Sequence, residues 1–461
     1  MQDFQFPDVQ IASGRQDSAL LILVGEAGAP DALASLKALA PKAGAWLLAG
    51  AQPTLVVAPK AVKSPFERHN QVRKWLAVLG DAQFESVQLK GDDKDWLEAL
   101  AATLLARQLR LPSFKKDKGE HQALRRISVE GPELDAGRLL AEARGNALAR
   151  WLSALPASEL TPAKYRTVLE ALARDHGWQL EIFDQTRLAG LGAGAFLAVA
   201  QGSDNDEAAI VRLRHRPKAP SGKLALVGKG LCFDTGGYNL KTSHMFGMHG
   251  DMGGSAVALG TLLALTELGS DLEVDCWLAL AENHIGPKAY KPNDLVVAMN
   301  GTSIEVVDTD AEGRMVLADT LTLASREKPD LVMDYATLTG ACIRAIGTAQ
   351  SGVFSNRDDW REALIQAGRA SGERVWPFPL DEDYDDNIES DVADVKQCHP
   401  GTSCDHIDAA RFLSRFVEEG VNWVHVDLSA AEHKGGLGLV DTEVTGFGVR
   451  FTLAALPALM K

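Results

Sequence analysis

From residue 209 onward, short apolar runs of strand length, at 210–213, 224–227, 273–281, 304–307, 331–335 and 423–426, alternate with segments whose apolar residues recur at helical spacing. This alternation constrains the fold more than any other feature of the chain. Strands separated by helices pack most simply as a mixed, largely parallel sheet wrapped by helices. In such sheets ligand sites gather in the loops at the strand ends. The expected fold class is therefore α/β, and those loops are the places where chemistry is expected.

One of these junctions is strongly acidic. The run Val307-Asp308-Thr309-Asp310-Ala311-Glu312-Gly313-Arg314 leaves the 302–307 segment and enters an amphipathic pattern carried by Met315, Leu317, Leu321 and Leu323. Acids this close repel by several kcal/mol in a poorly solvated cleft, so a cation is expected among them. The alternative is a solvated turn whose acids complement the helix macrodipole. A second stretch, Val227-Gly228-Lys229-Gly230-Leu231-Cys232-Phe233-Asp234-Thr235-Gly236-Gly237, decides between them. The strand at 223–227 is expected to end at the glycines and to deliver Lys229, Asp234 and Lys241 into one loop. Asp251 then opens a helix of small residues. Asp234, Asp251, Asp310 and Glu312 together would balance two divalent cations.

The motifs GKGLCFDTGG, GDMGGSA, DTDAEGRMVLAD and DYATLTGA, in this order, resemble those of the leucyl (cytosol) aminopeptidases, two-metal exopeptidases. Looser similarity runs from residue 152 to the C-terminus. Asp308 stands where the family usually has Asn and looks like the peptidase B branch. The resemblance implies a metalloenzyme that releases N-terminal amino acids from peptides, with a metal-bridging hydroxide as nucleophile. It assigns Asp234 and Glu312 as bridging ligands, Asp310 to one metal, and Asp251 and Lys229 to the other. It also implies Zn at the tight site, Zn or Mn at the exchangeable one, and a bicarbonate at Arg314 acting as general base. Beside a dication Lys229 would bind as a neutral amine. Lys241, with no place in the coordination shell, stays charged and stabilises the oxyanion. The implied substrate wall is Met248, Ala336, Thr337 and Gly340, with Leu338 presenting its backbone. The implied assembly is a homohexamer, a dimer of trimers with sites facing an interior cavity.

The stretch His425-Val426-Asp427-Leu428-Ser429-Ala430-Ala431-Glu432 replaces a more apolar family pattern. Ser429 and Glu432 depart from it, and a carboxylate at Glu432 would favour a basic or polar first residue. His284 and His425 read as core or supporting histidines rather than ligands. Two other function classes share the clustered carboxylates or the fold. A two-metal phosphoesterase usually adds histidines and a basic groove. A non-catalytic or DNA-binding scaffold would carry basic surface segments, and the net charge of -15 opposes it.

At 461 residues the chain exceeds one typical core. The expected division is an N-terminal α/β domain at 1–133, serving assembly and access, a linker helix at 134–160 and a catalytic domain at 161–461. In the first unit, 19–24 and 54–58 are strand-like while 31–39, 71–79 and 94–109 are helical. Thr161 and Pro162 open a helix that continues through 165–176, and 179–183 is a strand. Gly190, Gly192 and Gly194 read as a helix-to-strand turn, not a dinucleotide loop, because no strand leads into them. The acidic charge, with a pI near 5.2, argues against nucleic acid or an anionic membrane surface as the main partner. Five cysteines make no disulfide framework, and Cys398, His399 and Cys404 do not complete a tetrahedral metal site. The basic cluster at 115–118 reads as a solvated loop. With no basic, apolar leader at Met1 and no apolar run near ~20 residues, no membrane partner and a reducing cytoplasm are expected.

Overall fold

The computed structural model describes residues 4–25, 30–39, 44–116, 122–203 and 207–461. Among the described residues the strands form three sheets. The N-terminal sheet runs in the order Gln10–Ser13, Arg126–Glu130, Ser86–Lys90, Leu20–Val24, Thr54–Val57 and Ala45–Leu48. It is parallel except at the last pair. Helices Pro65–Leu76 and Lys94–Ala106 cover it with Trp75, Leu76, Trp96 and Leu100. Ser64 and Asp93 cap these helices with side-chain acceptors. Only the strands at 20–24 and 54–57 match the sequence expectation. Of the other four, those at 10–13, 86–90 and 126–130 carry too much polarity to show as apolar runs, and Ala45–Leu48 is apolar but only four residues long. Residues 115 and 116 of the basic cluster are exposed, and 117–118 lie outside the described residues.

Helix Ala136–Ser153 leads from this unit into the larger one and packs as core. Leu148, Trp151 and Leu152 belong to the same buried cluster as the large sheet. At Gly145 a Cβ would run into the Gly260 carbonyl, so two glycines let this helix cross helix Gly253–Glu267 with backbones nearly touching. Thr161 caps helix Pro162–His176 as expected, accepting from the Lys164 N–H.

The large sheet orders Val375–Pro377, Ser351–Ser355, Asn422–Asp427, Leu331–Ala336, Gly222–Asp234, Leu272–Asn283, Ala209–His215 and Gln179–Asp184. Its centre, from Asn422–Asp427 to Leu272–Asn283, is parallel, and antiparallel pairs flank it. Alternation along the central strand divides the core. Leu224 and Leu226 pack with helices Gly253–Glu267 and Val449–Leu459, while Ala225 and Val227 pack with helices Glu312–Arg326 and Asp405–Ser414.

Three expectations need correction. The 304–307 segment lies outside the large sheet. Ser303–Glu305 pairs with Leu295–Val297 and Val395–Lys396 in a small sheet. Only Ile304 of that strand is buried, too little for a position covered on both faces. The glycines at 190–194 join two helices, Gln185–Gly190 and Gly194–Ala200, and Asp319 accepts from the Phe196 N–H to hold the second. Finally, the central strand does not end at the glycines but continues to Asp234, so Lys229 and Asp234 lie on a strand and not in a loop. Gly228 makes this possible, because a Cβ there would collide with Ser255 and Gly254 of the helix above.

Candidate metal centre

In a regular strand residues an odd number apart face opposite sides, so Lys229 and Asp234 would diverge. They do not, because the pairing with Leu272–Asn283 slips by one. Leu231 sits opposite Ala281 and Phe233 opposite Glu282, leaving Cys232 unmatched in a β-bulge. The extra residue reverses the phase, and both side chains reach one cleft.

Lys229 Nζ lies 2.8 Å from Asp251 Oδ1 and 2.9 Å from Glu312 Oε1, and it donates to the Thr337 carbonyl at 3.1 Å. Lys241 Nζ lies 2.8 Å from Asp234 Oδ2 and 2.5 Å from Asp310 Oδ1. The expected positive charge among the acids is thus present as two ammonium groups. Asp234 Oδ1 accepts from Gly236 N–H at 2.8 Å and from Asn283 Nδ2 at 2.7 Å. Thr309 ties the two motifs together, its hydroxyl donating to the Gly236 carbonyl at 2.6 Å and accepting from Asn239 N–H at 2.8 Å. Asp308 accepts from the Asp310 N–H at 2.8 Å, which an asparagine oxygen would do equally well. A Cβ on Gly313 would stand 2.7 Å from Lys229 Nζ, so glycine there leaves room for that lysine to cross the helix start.

Burial disfavours a charged Lys229, yet Asp251, Glu312 and Asp234 outweigh it and hold the ammonium well above its ordinary range. Lys241 is raised likewise: burial opposes its charge, while Asp234 and Glu312 favour it. Glu312 is pushed up by burial and then by Asp234, with Lys229 opposing. Asp251 is pushed up by burial, with Lys229 opposing.

Asp251 Oδ2 and Glu312 Oε2 are buried without a hydrogen-bond partner. Orphaned acceptors cost about 1–3 kcal/mol each, more when charged, which bound cations would relieve. Ligand oxygens of Asp234, Asp310 and Glu312 lie within 4.8 Å of one another, the one such grouping among the described residues. Four carboxylates and one amine form a donor set suited to divalent ions.

Arg314 is buried at the start of helix Glu312–Arg326 and is largely engaged. Its Nη2 lies 2.8 Å from Asp405 Oδ1 and Nη1 donates to the Gln397 carbonyl at 3.1 Å, leaving Nε without a partner. Thr337 donates to Asp251 Oδ1 at 2.9 Å. The Leu338 N–H donates to Asp427 Oδ1 at 3.3 Å, and the Thr339 hydroxyl to Oδ2 at 2.6 Å. Thr339 also caps helix Gly340–Ile346, placing Gly340 at its first residue. Met248, half-buried, begins the turn that ends at Asp251, and Ala336 is fully buried. Glu432 stands beside Gly250, whereas Ser429 is buried and donates to the Gln350 carbonyl.

His425 lies in the core with Nδ1 2.6 Å from Asp334 Oδ1, and His284 Nε2 is 3.6 Å from Glu282, so neither joins the five. All five cysteines are free, and burial pushes the Cys398 thiol up to about 12. Sequence reasoning missed Asn283, Thr309, Gly313 and Asp427. Their signal is positional: Asn283 and Asp427 end strands beside the motifs, and Thr309 and Gly313 sit between the acids.

A family model described as the cytosol aminopeptidase family, catalytic domain, matches residues 147–453. The chain belongs to the cytosol aminopeptidase family. It is a metallo-exopeptidase, a hydrolase of the leucyl aminopeptidase type. A probable cytosol aminopeptidase of Parasynechococcus marenigrum is 44% identical over 403 residues, 84% of this chain and 81% of that one. One of Stutzerimonas stutzeri is 40% identical over 386 residues, covering 79% and 77%. Among solved structures, the bottromycin maturation enzyme BotP in complex with Mn superposes with a TM-score of 0.85 at 31% identity, over 96% of this chain and 99% of that one. Leucyl aminopeptidase from Trypanosoma brucei in complex with bestatin gives 0.84 at 27%, over 98% and 96%. Among the described residues no helix is long and apolar enough to cross a membrane.

Proposed function

We propose that this member removes N-terminal residues from unblocked peptides at a two-cation centre held by Lys229, Asp234, Asp251, Asp310 and Glu312. The observation that carries the reading is the convergence of these five side chains with two buried carboxylate oxygens left unpartnered. Bound there, two divalent ions such as Zn or Mn supply the lowered water pKa and the carbonyl polarisation that hydrolysis at neutral pH requires.

The chain's own groups do the rest. Asp251, fixed by Thr337 and Lys229, lies where the substrate's free α-amine is bound. Lys241 presents an ammonium to the carbonyl oxygen as negative charge develops on it. Arg314, steadied by Asp405 and with its Nε unpartnered, would hold a bicarbonate, and that anion would supply a general base. Met248, Thr337 and Gly340, with the backbone of Leu338, line the path of the first residue, and Ala336 packs in the core behind them. The unit at 1–133 governs assembly and access, 134–160 connects it, and 161–461 carries the chemistry, in a cytoplasmic homohexamer acting on peptides.

Incubation with Mn or Zn and an unblocked dipeptide, beside its N-acetylated form, tests the reading. Cleavage of the unblocked peptide alone is expected. Cleavage of both, of neither, or of a phosphoester instead overturns it.

A further inference from the structure

An α-amine bound at Asp251 places the side chain of the same residue beside the turn Met248–Gly250 that leads into Asp251. A crevice beside that turn, whose walls include Gly250, Gly253, Leu428, Ala431, Glu432 and Phe447, has a volume of about 20 Å³. That is room for about one water molecule. A leucine-sized side chain does not fit into that crevice, whereas a longer one lying along Gly250 would reach the Glu432 carboxylate. The rim is acidic. Glu432 Oε1 lies 3.4 Å from where a Cβ on Gly250 would stand, one residue before Asp251. A β-bridge to Val444 fixes the Glu432 backbone.

Partial burial raises the Glu432 carboxyl, Glu443 raises it further, and His249 opposes them. The carboxylate therefore faces a second acid with a single histidine against them. A flexible methylene stem with a cationic head fits this arrangement: the stem lies over the glycine turn and the head meets the carboxylate at the solvent edge.

We propose that Glu432 selects substrates whose first residue is arginine or lysine, pairing its carboxylate with the cationic head. This rests on the aminopeptidase reading, because that reading places the α-amine at Asp251.

The test uses the full chain loaded with Mn and the p-nitroanilides of arginine, lysine and leucine. The unaltered protein is expected to show a higher kcat/KM for arginine and lysine than for leucine. Glu432→Gln lowers the arginine-to-leucine ratio roughly two- to fivefold, as loss of one partly exposed charge pair does. Glu432→Lys takes the ratio lower still, and high salt reduces it in the unaltered protein only. Matching thermal unfolding curves show that the variants are folded. A preference for leucine in the unaltered protein, or a ratio that Glu432→Gln leaves in place, overturns the proposal. Failure to cleave any of the three overturns the aminopeptidase reading instead, and this inference with it.

Discussion

The two lysines of the centre have different tasks, and substitution separates them. Lys229 contacts Asp251 and Glu312, the acids with orphaned oxygens, so Lys229→Ala should lower both bound metal and turnover. Lys241→Ala should leave metal content near its original value while kcat falls about 10²–10³-fold, the usual effect of removing an oxyanion donor. Metal analysis beside steady-state kinetics checks both, and full activity in the Lys241 variant removes its role. A pH dependence follows from the same groups. Glu312 and Asp251 are raised by burial and Lys229 by its acids, so each holds a proton to higher pH than it would in water. A cation taking their lone pairs must displace those protons. Metal affinity should therefore strengthen as pH rises, with net proton release, which calorimetry in buffers of different ionisation enthalpy measures. In the metal-free chain the raised carboxylates cost stability when ionised, a cost relieved as pH falls through their folded-state values. The thermal gap between loaded and metal-free protein should narrow from pH 7 toward pH 5.

At the scale of elements, the site depends on how closely strand and helix approach. A Cβ on Gly254 would strike the Tyr335 carbonyl and crowd the Lys229 amide. Gly254→Ala should cost about 2 kcal/mol or more in urea unfolding, whereas Gly190→Ala, with open space around it, should cost little. Asp427→Ala removes the acceptor that holds residues 338 and 339. A raised KM for dipeptides is the expected result. The acids at 310 and 312, the lysines and the central strands were legible in the sequence, because charge density and apolar runs are local signals. The glycine contacts, the Asn283 clamp and the small sheet at 303–305 were not, since partners far along the chain decide them. The same applies to the packing of helix Ala136–Ser153, whose Ala- and Arg-rich sequence does not announce that Gly145 meets Gly260.

For the whole molecule, the reading of this 49.4 kDa chain as a homohexamer is checked by light scattering, where six copies per particle are expected. Cation binding should also stabilise the fold as any ligand of the native state does, by about 2.7 kcal/mol at a hundredfold excess over Kd. A chelator should lower Tm and re-addition of Mn restore it. The unmatched Cys232 gives the molecule an unusual property. Scaffold and chemistry are written in two reading frames along one strand, offset by a single residue. A chain lacking that residue would retain the apolar alternation at 224–227 and could still assemble its sheet, yet it would turn the Asp234 carboxylate to the other face. Loss of one amino acid there, more than exchange of many, is the change that would leave a well-folded protein with nowhere to hold its cations.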